Sequence, residues 1–420
     1  MMAHGADNNF SNNSRGPMFQ PLKGLKVIDL SQVLAGPYAT YQLALMGAEV
    51  IKIEKPGEGD WTRVLGPIPD MSARHMGLGY MTQNSDKKSV AINLKTPEGI
   101  DLMRGLIAKA DIFVENFKPG VAERLGLGFD AVRETQDRIV YCSISAYGQT
   151  GPLRERPAYD HIIQGMCGIM KTTGAKGSGP TKVGAPYIDY ATGMNAALGI
   201  LAGLREVERL QKAVHIDVAM LDTALMMMAS LATQHLSAGW HPGQNGNEAW
   251  SASPSSGAFE TSDGMLMLAA NNDTQFHLLC SALDRVDLSS DPLYGTAVAR
   301  AENSGHLRRE LEDIFLTRSA ADWELILAEW KVPSARVRGL DEVLAEDHVR
   351  SRGIFSSMNI KGDRDREVFV PGLSFLANGK AQSPVKPPCE LGADTKQMLT
   401  ELNLDPEEFS ELIKRGIIGV

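Results

Sequence analysis

Two short apolar runs with a helical stretch between them constrain this chain more than any other feature: Leu25 to Leu30 (LKVIDL), then Pro37 to Met46, then Glu49 to Glu54 (EVIKIE). A strand, a helix and a second strand in so few residues make a crossover unit, and a crossover lays its two strands parallel. Pro56-Gly57 closes the unit with a turn. The rhythm then recurs. Ser89 to Leu94 reads as a strand, Pro97 to Ala108 as a helix with Thr96 as cap and proline in first position, and Ile112 to Glu115 and Arg138 to Ser145 as strands. Alternation of this kind predicts a parallel sheet with helices on both faces.

From Asp189 the texture changes. A long helix through Leu204 leads to a strand at Val214 to Val218 and a Met-rich helical stretch over Ala219 to Ala232. A loop rich in Gly, Pro, Asn and Ser follows over Gly239 to Gly257, and Phe259 to Ala270 reads as a hairpin turning at Ser262-Asp263-Gly264. Val332 to Val337 and the helix signals at Asp341 to Glu346 return to the first style. The expected organisation is a mobile tail over residues 1–20, a Rossmann-like α/β large domain from residues 21–218 plus 331–420, and a smaller α+β domain over 219–330. Met226, Met227 and Met228 read as core filler.

Charge narrows the partners. Lys plus Arg number 42 against 51 Asp plus Glu, leaving −9, with no run of like charge longer than Lys87-Lys88. That balance argues against nucleic acid or a membrane surface as the main partner. The most apolar stretches, Ala197 to Leu204 and Ala219 to Ala232, fall short of the roughly 20 residues a bilayer span needs, and Met1 to Gln20 holds no signal-peptide core. Cys142, Cys167, Cys280 and Cys389 lack CxxC spacing, and His4, His75, His235, His241 and His277 lack ligand spacing, so no metal site is expected and a reducing cytoplasm fits.

Two places hold candidate chemistry. The first strand runs into Ser31 to Pro37 (SQVLAGP), a small-residue turn opening a helix, where a phosphate-bearing ligand meets backbone N–H groups in an open α/β sheet. Neither GxGxxG nor GxxxxGK[ST] occurs, and the bland reading is a tight helix entry with Gly36 in a permissive conformation. Asp189, in GAPYIDYATG just before the helical stretch from Ala191, faces unpaired amides and the positive end of a helix, which favours its ionised form. It serves equally as a nucleophile or as an ordinary N-cap. His161 sits among apolar neighbours and reads as structural, and no GxSxG elbow is present.

Several spaced segments then point one way. Leu22 to Leu30 (LKGLKVIDL), Ala35-Gly36-Pro37, Gly47 to Asp60 (GAEVIKIEKPGEGD), Asn84, Lys87-Lys88-Ser89, Lys95 to Gly99 (KTPEG), Asp111 to Gly120 (DIFVENFKPG), Ser145 to Pro152, Pro157 to Asp160 (PAYD) and Asp341 to Gly353 occur in order. In them the chain resembles the class III CoA-transferases, which include formyl-CoA and crotonobetainyl-CoA:carnitine transferases and the related α-methylacyl-CoA racemases. The resemblance runs from Leu22 nearly to the C-terminus.

What it implies is an acyl-CoA:carboxylate CoA-transferase with Asp189 as the nucleophile, coenzyme A as a substrate and no permanently bound cofactor. CoA contacts map to Val33, Ala35, Lys55, Lys95, Asn116, Phe117 and Arg124, and acyl-side contacts to Leu34, Tyr159 and Ser253. Formyl-CoA transferases carry glutamine at the position of Leu34, and their glycine run over the aspartyl thioester is replaced by Ala252 to Gly257 (ASPSSG). Arg63, Arg74 and His75 fall in the segment lining the acyl pocket of relatives, where cations suit a C4 or C5 diacid. The family also implies an interlocked-ring homodimer. The racemase branch needs a histidine where this chain has Tyr159, and an ordinary phenol, with a pKa of about 10, is a poor base at neutral pH. Racemase and a non-catalytic CoA-binding module are the alternatives.

Overall fold

The computed structural model describes residues 19–360 and 366–420; most of the expected tail lies outside them. Among the described residues the chain forms two compact units, one of residues up to 169 with 182–240 and 347–420, the other of 170–181 with 241–346.

The first unit is built on a seven-stranded sheet: β1 (Lys26–Asp29), β2 (Glu49–Glu54), β3 (Lys88–Ile92), β4 (Ile112–Glu115), β5 (Val140–Ser145), β6 (Val214–Ala219) and a C-terminal strand, Ile418–Gly419, in the order C-terminal-β3-β2-β1-β4-β5-β6. The first six pair in parallel, and the C-terminal strand adds antiparallel to the edge, Ile418 opposite Ile92. Both chain ends therefore contribute to one mixed sheet. The strands are buried on both faces because successive side chains alternate. Val27, Val50, Val114 and Cys142 pack on one side with the helices Ala35–Leu45 and Tyr187–Leu210, while Ile28, Ile51, Val90 and Phe113 pack on the other with Pro97–Ile107. Thr96 caps that last helix as its sequence indicates, its Oγ1 accepting the Gly99 N–H at 3.1 Å.

The long helix starts at Tyr187, one turn before the expected Ala191, and runs to Leu210. Its buried stripe, Gly193, Ala196, Ala197, Ile200, Gly203 and Val207, recurs every three or four residues. Small residues allow close approach: a Cβ on Gly193 would lie 2.6 Å from the Ala35 carbonyl oxygen, and one on Gly203 2.9 Å from Val140.

The Met-rich stretch forms two helices, Met220–Met227 and Ala229–Ala238, and they belong to the first unit. The division thus falls after residue 240, not at 218, because Met220 and Ala224 pack against Ile163, Cys167 and Ile188. Met226 and Met227 are not core filler; they are 67% and 62% exposed on the far side of their helix.

The second unit carries an antiparallel sheet of β7 (Ser256–Glu260), β8 (Met265–Ala269) and β9 (Ser334–Arg336), with Phe259 and Leu266 packed against Phe276, Leu311, Phe315 and Trp323 from its helices. The hairpin turns where its sequence places it. Residues 331–346 go with this unit because β9 pairs with β8. No helix among the described residues is long and apolar enough to cross a membrane.

Candidate active site

Strand order reverses between β1 and β4, since β1 continues to β2 on one side while β4 leads to β5 on the other. Loops leaving the C-terminal ends of these strands must diverge there, and open α/β sheets place ligands in that crevice. A cavity of about 360 Å³ occupies the spot. Gln32 to Ala35 after β1, Asn116 to Pro119 after β4, and Ser145 and Ala146 at the end of β5 line it, together with Tyr159, Asp189 and Met220.

The turn after β1 is held under strain. Val33, a β-branched residue, adopts φ 73°, a region that non-glycine residues seldom occupy. Gly36 does not have the permissive backbone expected of it. Glycine is required there because a Cβ would lie 2.3 Å from the Ser31 side chain. Asn116 ties the two loops together, its side chain donating to the Gln32 carbonyl and accepting the Gln32 N–H, each at 2.8 Å. Glu115 accepts the Phe117 N–H at 2.8 Å, and burial pushes its carboxyl up to about 7.

Asp189 lies in the first turn of the long helix but does not cap it. Asp160 does that work. Its Oδ2 accepts the N–H groups of Ile188 at 2.8 Å and Asp189 at 3.2 Å, while Gln164 donates to its other oxygen at 2.6 Å. With the helix amides taken, the Asp189 carboxyl is left in the cavity lining without an ion-pair or hydrogen-bond partner among the described residues. The expectation of an easily ionised carboxylate fails: burial, with the neighbouring Asp160, pushes Asp189 up to about 7.

Other expected residues divide clearly. Val33, Leu34, Ala35, Asn116, Phe117, Tyr159 and Asp189 line one cavity. Lys55, Lys95 and Arg124 do not; Lys55 pairs with Glu58 at the surface. Ser253 belongs to the second unit, where its Oγ lies 3.1 Å from Ser255 Oγ. Arg63 is unavailable to any substrate. It is 0% exposed, held by Glu54 at 2.7 Å through both Nε and Nη2, and stacked 3.8 Å from the Tyr80 ring. His161 is exposed beside Tyr159, with the rings parallel and 6.3 Å apart, instead of sitting in an apolar interior.

The cavity also recruits residues that sequence reasoning passed over: Trp61, Lys118, Arg154 and Arg156. Lys118 and Arg156 are exposed and have no acidic partner among the described residues, whereas Arg154 bonds Glu155 at 2.8 Å. Lys118 stands inside the DIFVENFKPG segment, so its neighbourhood was a usable signal; the two arginines sit in a loop with no motif.

Comparison with known proteins places the chain as a whole. The model of CoA-transferase family III matches residues 22–395. The human succinyl-CoA:glutarate CoA-transferase is 34% identical over 404 residues, covering 95% of this chain and 90% of that protein. A succinate–glutarate CoA-transferase of Agrobacterium fabrum is 35% identical, covering 91% and 96%. The crystal structure of a CAIB/BAIF family protein from Brucella suis superimposes with a TM-score of 0.78 at 31% identity, over 91% of this chain and 99% of that one. Family match, relatives and fold agree from the first strand to the C-terminal segments, and this chain belongs to CoA-transferase family III.

Proposed function

We propose that the enzyme exchanges CoA between small dicarboxylic acids through a covalent intermediate on Asp189. The observation that carries this reading is the unpaired Asp189 carboxyl in the wall of the switch-point cavity that also presents Val33 to Ala35 and Asn116 to Phe117. An Asp189 oxygen attacks the thioester carbonyl carbon, the C–S bond breaks, and CoA thiolate leaves a mixed anhydride. The thiolate then attacks the aspartyl carbonyl, releasing the donor acid and leaving CoA on the aspartate. An acceptor carboxylate repeats the two steps in reverse. No proton is gained or lost, so the site needs an ionised nucleophile and the exclusion of water more than an acid or a base.

Binding chemistry supports the same reading. Lys118, Arg154 and Arg156 supply positive charge for the phosphates of CoA and the far carboxylate of a diacid, and Phe117 offers a face to adenine. Relatives named for succinyl-CoA and glutarate support a C4 or C5 diacid as the substrate class. Assembly as an interlocked homodimer is part of the proposal, and Leu198, Met226 and Leu236, respectively 65%, 67% and 84% exposed on one chain, are apolar surface that a second copy would cover.

The test is incubation with succinyl-CoA and glutarate followed by hydroxylamine. Modification of the peptide carrying Asp189, with loss of CoA exchange in Asp189→Ala, is expected. Undiminished exchange by folded Asp189→Ala overturns the mechanism, and solvent deuterium entering the α-carbon independently of Asp189 would indicate the racemase chemistry instead.

A further inference from the structure

Beneath the turn after β1 lies a group of charges that the reaction does not use. Asp29, Lys52, Glu54, Asp60, Arg63 and Lys87 are each no more than 4% exposed. Burying six ions is costly unless each is matched, and here three anions meet three cations. Lys52 and Asp60 form one pair within this group, with Nζ to Oδ2 at 3.1 Å and both side chains fully enclosed. Burial opposes the charge on each, yet Lys52 is held above its ordinary range by Asp60 and Asp29, and Asp60 below its own by Lys52 and the Thr62 N–H.

Asp60 also holds Thr62, and one further bond from each partner reaches a single strained stretch of backbone. Asp60 Oδ2 accepts the Val33 N–H at 3.2 Å, and Lys52 Nζ donates to the Ser31 carbonyl at 2.7 Å. From the other side Gln83 Nε2 donates to the Val33 carbonyl at 2.9 Å. The N–H and the C=O of Val33, one in each peptide unit flanking its Cα, are thus both anchored to buried side chains while its φ stands at 73°. Released, a valine would relax toward negative φ and rotate the adjoining Leu34 amide.

We propose that Asp60, with Lys52 fixing it and Gln83 opposing it, is a positioning residue for CoA: the buried pair holds Val33 in its left-handed conformation so that the turn entering the helix Ala35–Leu45 keeps the shape that receives the ligand. This rests on the reading of the switch-point cavity as the CoA site. It assigns a purpose to a β-branched residue where glycine would be easier, because strain maintained by buried charges gives a single turn shape, whereas glycine would leave several.

Calorimetric titration of CoA into the full-length protein tests it, alongside KM and kcat for succinyl-CoA. Asp60→Asn is expected to weaken CoA binding about 10-fold and raise KM similarly, with kcat at saturation changed less than about 3-fold; a 10-fold change corresponds to about 1.4 kcal/mol. Gln83→Met, which leaves the ion pairs intact, should act in the same direction and carries the test if Asp60→Asn does not fold. Adding Val33→Gly, which adopts the left-handed backbone without an anchor, should bring Asp60→Asn back to within about 3-fold of Val33→Gly alone. Wild-type protein that takes up no CoA overturns the reading of the cavity and this inference with it. CoA binding by wild type matched by both single variants, or a loss that Val33→Gly does not relieve, overturns the inference alone.

Discussion

Asp160→Asn should move the acid limb of the pH–rate profile. Asp189 stands near 7, about three units above its ordinary 3.8, with burial as the larger cause and the Asp160 carboxylate as the second. Asp160 Oδ2 accepts the Asp189 N–H at 3.2 Å, and a separation of roughly 6 Å between the two carboxyl groups is taken for the arithmetic. At an effective dielectric constant of 20 to 40, one charge at that distance is worth about 1.4 to 2.8 kcal/mol, or about one to two pK units. Asparagine keeps an oxygen to accept the Ile188 and Asp189 amides and removes the charge. Taking one unit, the ionised fraction of Asp189 at pH 6 rises from about a tenth to about a half, so kcat/KM there should increase roughly five-fold while the value at pH 8 stays nearly constant. Initial rates of CoA exchange between pH 5 and 9 measure it. The CoA phosphates also titrate in this range, but they are common to both proteins, so the difference between profiles isolates the enzyme. Superimposable profiles would refute the claim that the Asp160 charge holds the Asp189 carboxyl high.

The remaining predictions concern stability and packing. Folded Asp189 keeps its proton up to about 7 while the unfolded chain gives it up near 3.8, so ionising this residue reduces stability increasingly across that interval and fully above it. Asp189→Asn should therefore raise Tm by a few degrees at pH 8 and leave it unchanged at pH 4; equal shifts at both would contradict the assignment. Gly193→Ala places a Cβ 2.6 Å from the Ala35 carbonyl oxygen and 3.0 Å from Tyr38, so a loss of about 1–3 kcal/mol in urea unfolding and a raised KM for acyl-CoA are expected. Arg63→Met leaves Glu54 buried without its bidentate partner and should cost about 3–5 kcal/mol, visible as a lower urea midpoint.

What the sequence determined by itself was the sheet and the approximate place of its chemistry. The short buried runs LKVIDL and EVIKIE, the Thr96-Pro97 helix start and the hairpin around Ser262 to Gly264 are local signals, and the structure follows them within a few residues. Spaced motifs from Leu22 to Gly353 carried the family. Tertiary structure alone decided where charge and exposure fall. Arg63 reads as a cation of the acyl pocket until Glu54, nine residues before it, is found folded against it. Met226 and Met227 read as core because methionine usually is, yet only the packing of Met220 and Ala224 on Ile188 turns them outward. Asp189 at a helix start predicts an easy anion, and it is Asp160, twenty-nine residues away, that takes the amides and leaves the carboxyl high. Local backbone preference travels along the chain and is written in it; desolvation and pairing depend on what arrives from elsewhere, and that is set only when the sheet brings β1, β4 and the long helix to one crevice.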